Sequence, residues 1–388
     1  MSANLIYLDN NSTTPTDPRV LEAMIPYFSE FYGNPASTHK FGNTIDKHVK
    51  NSREQIADLL QCDTSELIFT SGATESINIA IIGFALKNIH NGKHIVTVKT
   101  EHKAVLDSIN YLNSIGFEIT YLDVQEDGNL NLPYFADAIK SDTVLVCVML
   151  SNNEIGTIHP IKKIADIIHD KGSALFCDAT QAVGKIEIEV KELNVDMLSF
   201  SGHKFYGPKG VGGLYVKDLK KNKSSVQPLQ YGGGHEQGIR SGTLNVPGII
   251  GLGKASELAK LEMDSDQQKI SRLRDLLESE LLKIPDAFIN GAKQNRMYNV
   301  TNICFPGLDA NAFINRLPDI AASNGSACTA AIVEPSHVLR ALGLTDENSN
   351  SSIRFSLGKF NSEEEIKVVS PKLKELIVND PMRYAKIN

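Results

Sequence analysis

From about residue 65 to residue 205, short apolar runs alternate with stretches whose apolar residues recur every three or four positions. ELIFTSG is followed by ATESINIAIIGFALKNI, HIVTVK by AVLDSINYLNSI, and TVLVCVML by PIKKIADIIHDKG. In the last of these Ile161, Ile164, Ala165 and Ile168 fall at i, i+3, i+4 and i+7, which predicts a helix with one buried face. ALFCDATQAVG and VDMLSFSGHK add further strands. Strands that alternate with helices predict an α/β unit with a mostly parallel sheet, and continuous apolar strands fit a sheet covered on both faces.

Beyond about residue 250 the texture changes. A long helical stretch with Pro247 near its start leads into NVTNICF, the helix DANAFINRL, then SHVLRALG, SIRFSLG and a final helix in SEEEIKVVSPKLKELI. This predicts a smaller α+β unit joined without a Pro/Gly/Ser linker. The division expected is a large unit at 15–254 and a small one made of 1–14 and 255–388.

Composition narrows the class. With 41% hydrophobic and 22% charged residues in 388, the chain has the make-up of a globular protein with room for a sizeable core. A formal net charge of −7 argues against a surface that coats nucleic acid. No run of eighteen apolar residues predicts a membrane span, and MSANLIYLDNNSTTP lacks the pattern of a secretory leader. The five cysteines, at 62, 147, 177, 304 and 328, contain no C-x-x-C pair, so neither a disulfide framework nor a cysteine zinc site is expected. The reading is a cytoplasmic protein with reduced thiols and no resident metal.

Candidate chemistry collects at strand ends, where ligands of open α/β sheets bind. Lys204 follows the strand DMLSF and precedes a Gly/Pro turn; it reads as a cofactor-binding amine or as a plain loop lysine. Asp178 ends another strand, with Gln181 three residues on. Its carboxylate suits a protonated pyridine nitrogen or, equally, a helix N-cap. In TSGATES, residues Gly72, Ala73 and Thr74 lie between strand and helix, where a phosphate or merely a left-handed turn fits. Ser201 and His203 could converge on that phosphate from the lysine loop. His102, after HIVTVK, could stack on a planar ring and move protons, and Asn153 could hydrogen-bond a ring oxygen or the substrate. An imine-forming lysine, a pyridinium partner, a phosphate cradle and a ring-facing histidine are what pyridoxal phosphate requires.

These stretches, with YLDNNSTTP, NPASTH, SNNEIGT, GGGHEQGIRSGT, NGSACTAAIVEPSHVLRALG and SIRFSLG, run in order from about residue 5 to 366. In that order the chain resembles the NifS/IscS-type cysteine desulfurases, class-V aminotransferase-like enzymes of fold type I that depend on pyridoxal phosphate. The resemblance implies a mostly parallel seven-stranded sheet flanked by helices plus a smaller α+β domain. It implies that Lys204 holds the cofactor and moves the substrate α-proton, that Asp178 faces the pyridine nitrogen, and that Gln181 bonds the phenolic oxygen. His102 would stack on the ring and shuttle protons. Ala73, Thr74, Ser201 and His203 would hold the phosphate, joined by Thr243 from the partner subunit of a homodimer. Arg354, assisted by Asn153, would grip the carboxylate of L-cysteine.

Cys328, on the segment 321–334, matches the family nucleophile. It would take sulfur as a persulfide, pass it to an acceptor protein, and be the one thiol to hold an iron–sulfur cluster in passing. The form of NGSACTA implies L-cysteine rather than selenocysteine as substrate. The acceptor stays open among an iron–sulfur scaffold, a tRNA-thiolation relay and a DNA-phosphorothioation system. Another class-V enzyme, an aminotransferase or β-lyase, would need no Cys328; a non-catalytic scaffold would need neither Cys328 nor Lys204.

Overall fold

The computed structural model describes residues 5–219, 226–325 and 334–384. The chain opens with β1 (Ile6–Tyr7). Seven strands then form one sheet: β2 (Leu67–Thr70), β3 (His94–Val98), β4 (Glu118–Leu122), β5 (Thr143–Cys147), β6 (Ala174–Asp178), β7 (Met197–Ser201) and β8 (Gly212–Val216). Their spatial order is β2-β8-β7-β6-β5-β3-β4. Only β8 runs against its neighbours, pairing antiparallel with both β7 and β2, and the other pairs are parallel.

Two of these strands escape the apolar-run reading. The edge strand β4 is mostly exposed or half-buried, so its sequence, EITYL, carries no continuous apolar stretch. β8 begins with two glycines, because side chains there have no room. A Cβ on Gly212 would lie 2.5 Å from the Phe200 carbonyl oxygen and 2.8 Å from the Gly72 Cα.

Successive residues of a strand point to opposite faces, and both faces of this sheet are dry. Val96, Val146, Leu175 and Leu198 pack into a core on one side. Ile95, Leu145, Phe176 and Met197 pack into a second core on the other. The helix Ile161–Asp170 buries Ile161, Ile164, Ala165 and Ile168, the face its spacing predicts.

The C-terminal part contains an antiparallel sheet of β9 (Phe288–Ile289), β10 (Val300–Cys304) and β12 (Ser352–Ser356), with β10 in the middle; β11 (Ile320–Ala321) instead pairs in parallel with β1. A third core, with Leu8, Leu273, Ile303 and Phe355, lies beneath these strands. One helix, Val246–Leu281, with Pro247 in its first turn and Asn245 capping it, serves two cores. Ile249, Leu252 and Ala255 belong to the first, Ile270, Leu273 and Leu277 to the third.

The N-terminal segment ties the small sheet to the large one. After β1, Asn10 N–H donates to the Ser356 carbonyl at the end of β12 (3.0 Å), and Thr14 N–H donates to the His203 carbonyl (2.9 Å). Residues 9–14 therefore cross from the small sheet to the turn after β7.

Candidate active site

At the carboxyl ends of β3, β6 and β7 lies a cleft of about 730 Å³. Ala73, Thr74, His102, Asn153, Asp178, Gln181, Ser201, His203, Lys204 and Arg354 all line it. The sequence-predicted residues are thus brought together, with two exceptions. Thr243 is exposed and does not line this cleft. Cys328 lies outside the described residues, although Gly325 before it and Glu334 after it both line the cleft.

Lys204 ends the single 3-10 turn Gly202–Lys204 after β7. The next turn is tight: Tyr206 holds a left-handed φ of 66°, which bulky residues rarely adopt, and its N–H is tied to Thr14 Oγ1 at 2.8 Å. Lys204 Nζ donates to the carbonyl oxygens of Asn11 and Ser12, both at 2.8 Å. No carboxylate bonds to it among the described residues. Burial, with Arg354 adding to it and Asp178 and Asp9 opposing, lowers its pKa to about 8. An amine so poised is a nucleophile near neutral pH.

Another end of the cleft starts at Gly72, which precedes the helix Ala73–Asn78 with a φ of 153°. No side chain caps this helix, so its first N–H groups remain available to an anion. The Ser201 hydroxyl sits against Gly72, 3.5 Å from where a Cβ would be. Glu75, an acid within this cradle, is turned to other work: it accepts from Ser71 N–H at 2.5 Å and from Arg240 Nε at 2.9 Å. His203 shares a 3.1 Å hydrogen bond through Nδ1 with Thr13 Oγ1. Burial lowers its pKa to about 4, with Lys204, Lys209 and Lys185 adding to the effect, so the ring is neutral.

Asp178 caps no helix: only turns follow β6 until the helix Val190–Leu193. Its Oδ1 accepts from Thr180 N–H (2.9 Å) and Ser199 Oγ (3.3 Å), capping the turn after β6, and its carboxylate still lines the cleft. Behind it lies Glu101, which is fully buried, accepts from Met149 N–H at 2.6 Å through Oε1, and leaves Oε2 without a partner. Burial first, and Asp178 second, push Glu101 up to about 8, so it adds little negative charge behind Asp178 at pH 7. His102 is the N-cap of the helix Lys103–Ser114 and accepts from Ala104 N–H at 3.1 Å through Nδ1. That bond places the proton of a neutral ring on Nε2, and burial favours the neutral form by lowering the pKa.

At the opposite end Arg354, inside the buried strand β12, is 4% exposed in its side chain. Its Nη2 donates to Asp9 Oδ1 and Ser12 Oγ, each at 2.7 Å, and Nη1 donates to the Asn153 carbonyl at 3.1 Å. Its Nε is buried and without a partner. Beside it Glu154 lines the cleft and accepts from Ser336 Oγ at 2.6 Å. A Cβ on Gly325 would lie 2.5 Å from Glu154 Oε2, so this position admits only glycine while the carboxyl stays. Burial raises Glu154 to about 7, with Ser336, Arg354 and Lys103 opposing. Asp9, Asn11, Ser12, Glu101 and Glu154 carry no role in the sequence reading, although YLDNNSTTP, TEHKAV and SNNEIGT contain them. The unassigned polar residues inside those stretches were the available signal.

The family model for class-V aminotransferases matches residues 6–369. The cysteine desulfurase IscS of Dechloromonas aromatica is 50% identical over 365 residues, spanning 93% of this chain and 89% of its own. Among solved structures, a NifS-like protein superposes with a TM-score of 0.90 at 37% identity, over 96% of this chain and 99% of its own. A structure of SspA in complex with cysteine gives a TM-score of 0.81 at 36% identity, over 92% and 99%. With the sheet, the lysine turn and the arginine strand in this order, the chain belongs to the class-V aminotransferase family and, within it, to the cysteine desulfurases.

Proposed function

We propose that the protein converts L-cysteine to L-alanine and carries the released sulfur on Cys328 as a persulfide. In balance, the C–S bond of L-cysteine breaks, an S–S bond forms to the Cys328 sulfur, and the former Cβ gains a proton. The observation that carries this reading is the pairing, across one cleft, of a lysine amine with no carboxylate bonded to it among the described residues and a buried arginine beside the residues that flank the Cys328 segment.

The donor set fits pyridoxal phosphate. The uncapped helix start, Ser201 and neutral His203 suit a phosphate, the Asp178 carboxylate suits a pyridinium, and Lys204 Nζ suits an aldehyde. When bound, the cofactor supplies an electron sink for the bonds at the substrate α-carbon. Lys204 would hold the cofactor and move the α-proton at Nζ. Gln181 would bond the ring oxygen, while His102 would lie over the ring and carry a proton on Nε2. Arg354, with Asn153, would take the substrate carboxylate. Its fork of donors suits that task better than an ammonium.

Thr243 is read as the partner subunit's contribution to the phosphate site of a homodimer; its exposure away from its own cleft supports this. In the proposed division into 15–254 and 1–14 with 255–388, the grouping of 1–14 with the C-terminal part is supported by Leu8 sharing a core with Ile270 and Ile377, while Ala255 still packs in the first core. No helix among the described residues is long and apolar enough to cross a membrane. We read the setting as cytoplasmic, L-cysteine as preferred over selenocysteine, and the acceptor as a sulfur-carrying protein such as an iron–sulfur scaffold.

The test is Cys328→Ala with L-cysteine as substrate, following alanine by chromatography and protein-bound persulfide by alkylation and mass spectrometry. Loss of both products is expected. Sulfur release at the wild-type rate would instead identify a lyase that needs no thiol.

A further inference from the structure

Lys185 lies seven residues beyond Asp178, is 6% exposed, and no carboxylate bonds to it among the described residues. Its Nζ donates to Gln181 Oε1 at 2.8 Å and, weakly, to Asn11 Oδ1 at 3.5 Å. Gln181 Nε2 in turn donates to the Asn11 carbonyl at 2.9 Å, the same oxygen that accepts from Lys204 Nζ at 2.8 Å. Asn11 Oδ1 also accepts from Asn299 Nδ2 at 2.9 Å. A buried lysine without a counter-ion costs several kcal/mol, so its retention asks for a reason. Burial, with Lys204 and Arg354 adding repulsion, lowers its pKa to about 7.

The lysine ammonium only donates, whereas a carboxamide can turn either its oxygen or its nitrogen outward. Lys185 decides between them. With Nζ at 2.8 Å, Gln181 must point Oε1 at the lysine, which sends Nε2 the other way. One Nε2 hydrogen meets the Asn11 carbonyl, and the second is left for the cleft that Gln181 lines. The Asn11 carbonyl favours the same orientation, but it is shared with Lys204, while the lysine contact to Oε1 is not shared.

We propose that Lys185 is a positioning residue: it locks the Gln181 amide with its nitrogen toward the cleft, so that Gln181 donates to an anionic ring oxygen of the bound cofactor. This rests on the reading that the cleft holds pyridoxal phosphate. Lys185 itself does not line the cleft.

The experiment titrates the full-length apo-protein with pyridoxal phosphate and reads the dissociation constant from the bound-state absorbance. Lys185→Met, which removes the donor, is expected to weaken binding about tenfold, the loss of one hydrogen bond to a charged group. Lys185→Gln keeps an N–H donor and is expected to bind within about threefold of wild type, a rescue that a purely structural lysine would not give. On a Gln181→Leu background, Lys185→Met should weaken binding no further, because both changes remove the same contact. A cooperative thermal transition of each apo-variant verifies folding, and Lys185→Ala replaces the methionine variant if that transition is lost. Wild-type affinity in the donor-free variant, or multiplying effects of the two changes, overturns the proposal. A bound-state absorbance that survives Lys204→Ala unchanged overturns instead the cofactor reading beneath it.

Discussion

At one end of the cleft stand Lys204 and His203, with Lys185 buried behind Gln181, and none of the three has a carboxylate bonded to it among the described residues. At the other end Arg354 is tied to Asp9 and Ser12 at 2.7 Å and to the Asn153 carbonyl at 3.1 Å. Burial, with neighbouring cations adding to it, lowers their affinity for protons, to about 8 for Lys204, about 7 for Lys185 and about 4 for His203. Such groups can be neutral at working pH, which a nucleophile and a proton carrier need. A guanidinium held by a carboxylate, a hydroxyl and a carbonyl has fixed charge and fixed direction, which suits recognition. On the proposed reading the lysine end suits reaction and the arginine end suits grip.

The largest expected effect tests the first half of that contrast. Lys204→Ala should cut alanine formation from L-cysteine by about a thousandfold or more, as removal of a group that does both covalent and proton work does. A variant that keeps a tenth of wild-type turnover would place the chemistry elsewhere. Next, Arg354→Lys should raise KM for L-cysteine about thirtyfold, because a point charge cannot hold Asp9, Ser12 and a substrate carboxylate at once. The pyridoxal phosphate absorbance of that variant should not change. A change there would mean that the two ends do not divide the labour.

The pH dependence of cofactor loading separates the ends further. The neutral amine is the reactive form, and Lys204 has a lowered pKa of about 8, so it is protonated below that pH and free above it. The rate at which the apo-protein takes up pyridoxal phosphate should rise about tenfold per pH unit up to pH 8 and level off above it. A rise that continues to pH 10 would show an ordinary lysine. Smallest, Asp9→Asn should raise KM for L-cysteine by about threefold to fivefold. The amide keeps a hydrogen bond to Arg354 but loses the charge that strengthens it. A fall in KM would recast Asp9 as a competitor of the substrate carboxylate.

The same contrast explains what could be read from the chain. Asp178 ends β6, Lys204 closes the turn after β7, and His102 follows β3. Apolar strands are visible as runs, and the rule that ligands gather at their carboxyl ends leads to these three residues. Arg354 sits in the middle of a fully buried strand, where no local pattern marks an arginine as functional, and only the resemblance reaches it. Asp9, Ser12, Glu154 and Lys185 carry no local mark for a related reason. Each acts by a contact to another part of the fold or, for Lys185, by turning a neighbour's amide, and neither leaves a periodicity. β4 and β8 leave no apolar run in the sequence, because one is an exposed edge and the other begins with glycines.

The bond between Asp9 and Arg354 joins residues 345 positions apart, and β1 has no strand to pair with until β11 is made. On a ribosome adding about 5–20 residues per second, the N-terminal segment waits on the order of half a minute for these partners. The sheet strands, complete by residue 216, can assemble in the meantime. Lys204 thus emerges before the carbonyls of Asn11 and Ser12 have their final anchor on β12. The order of synthesis makes the cleft a late product: its lysine wall first, its arginine end last.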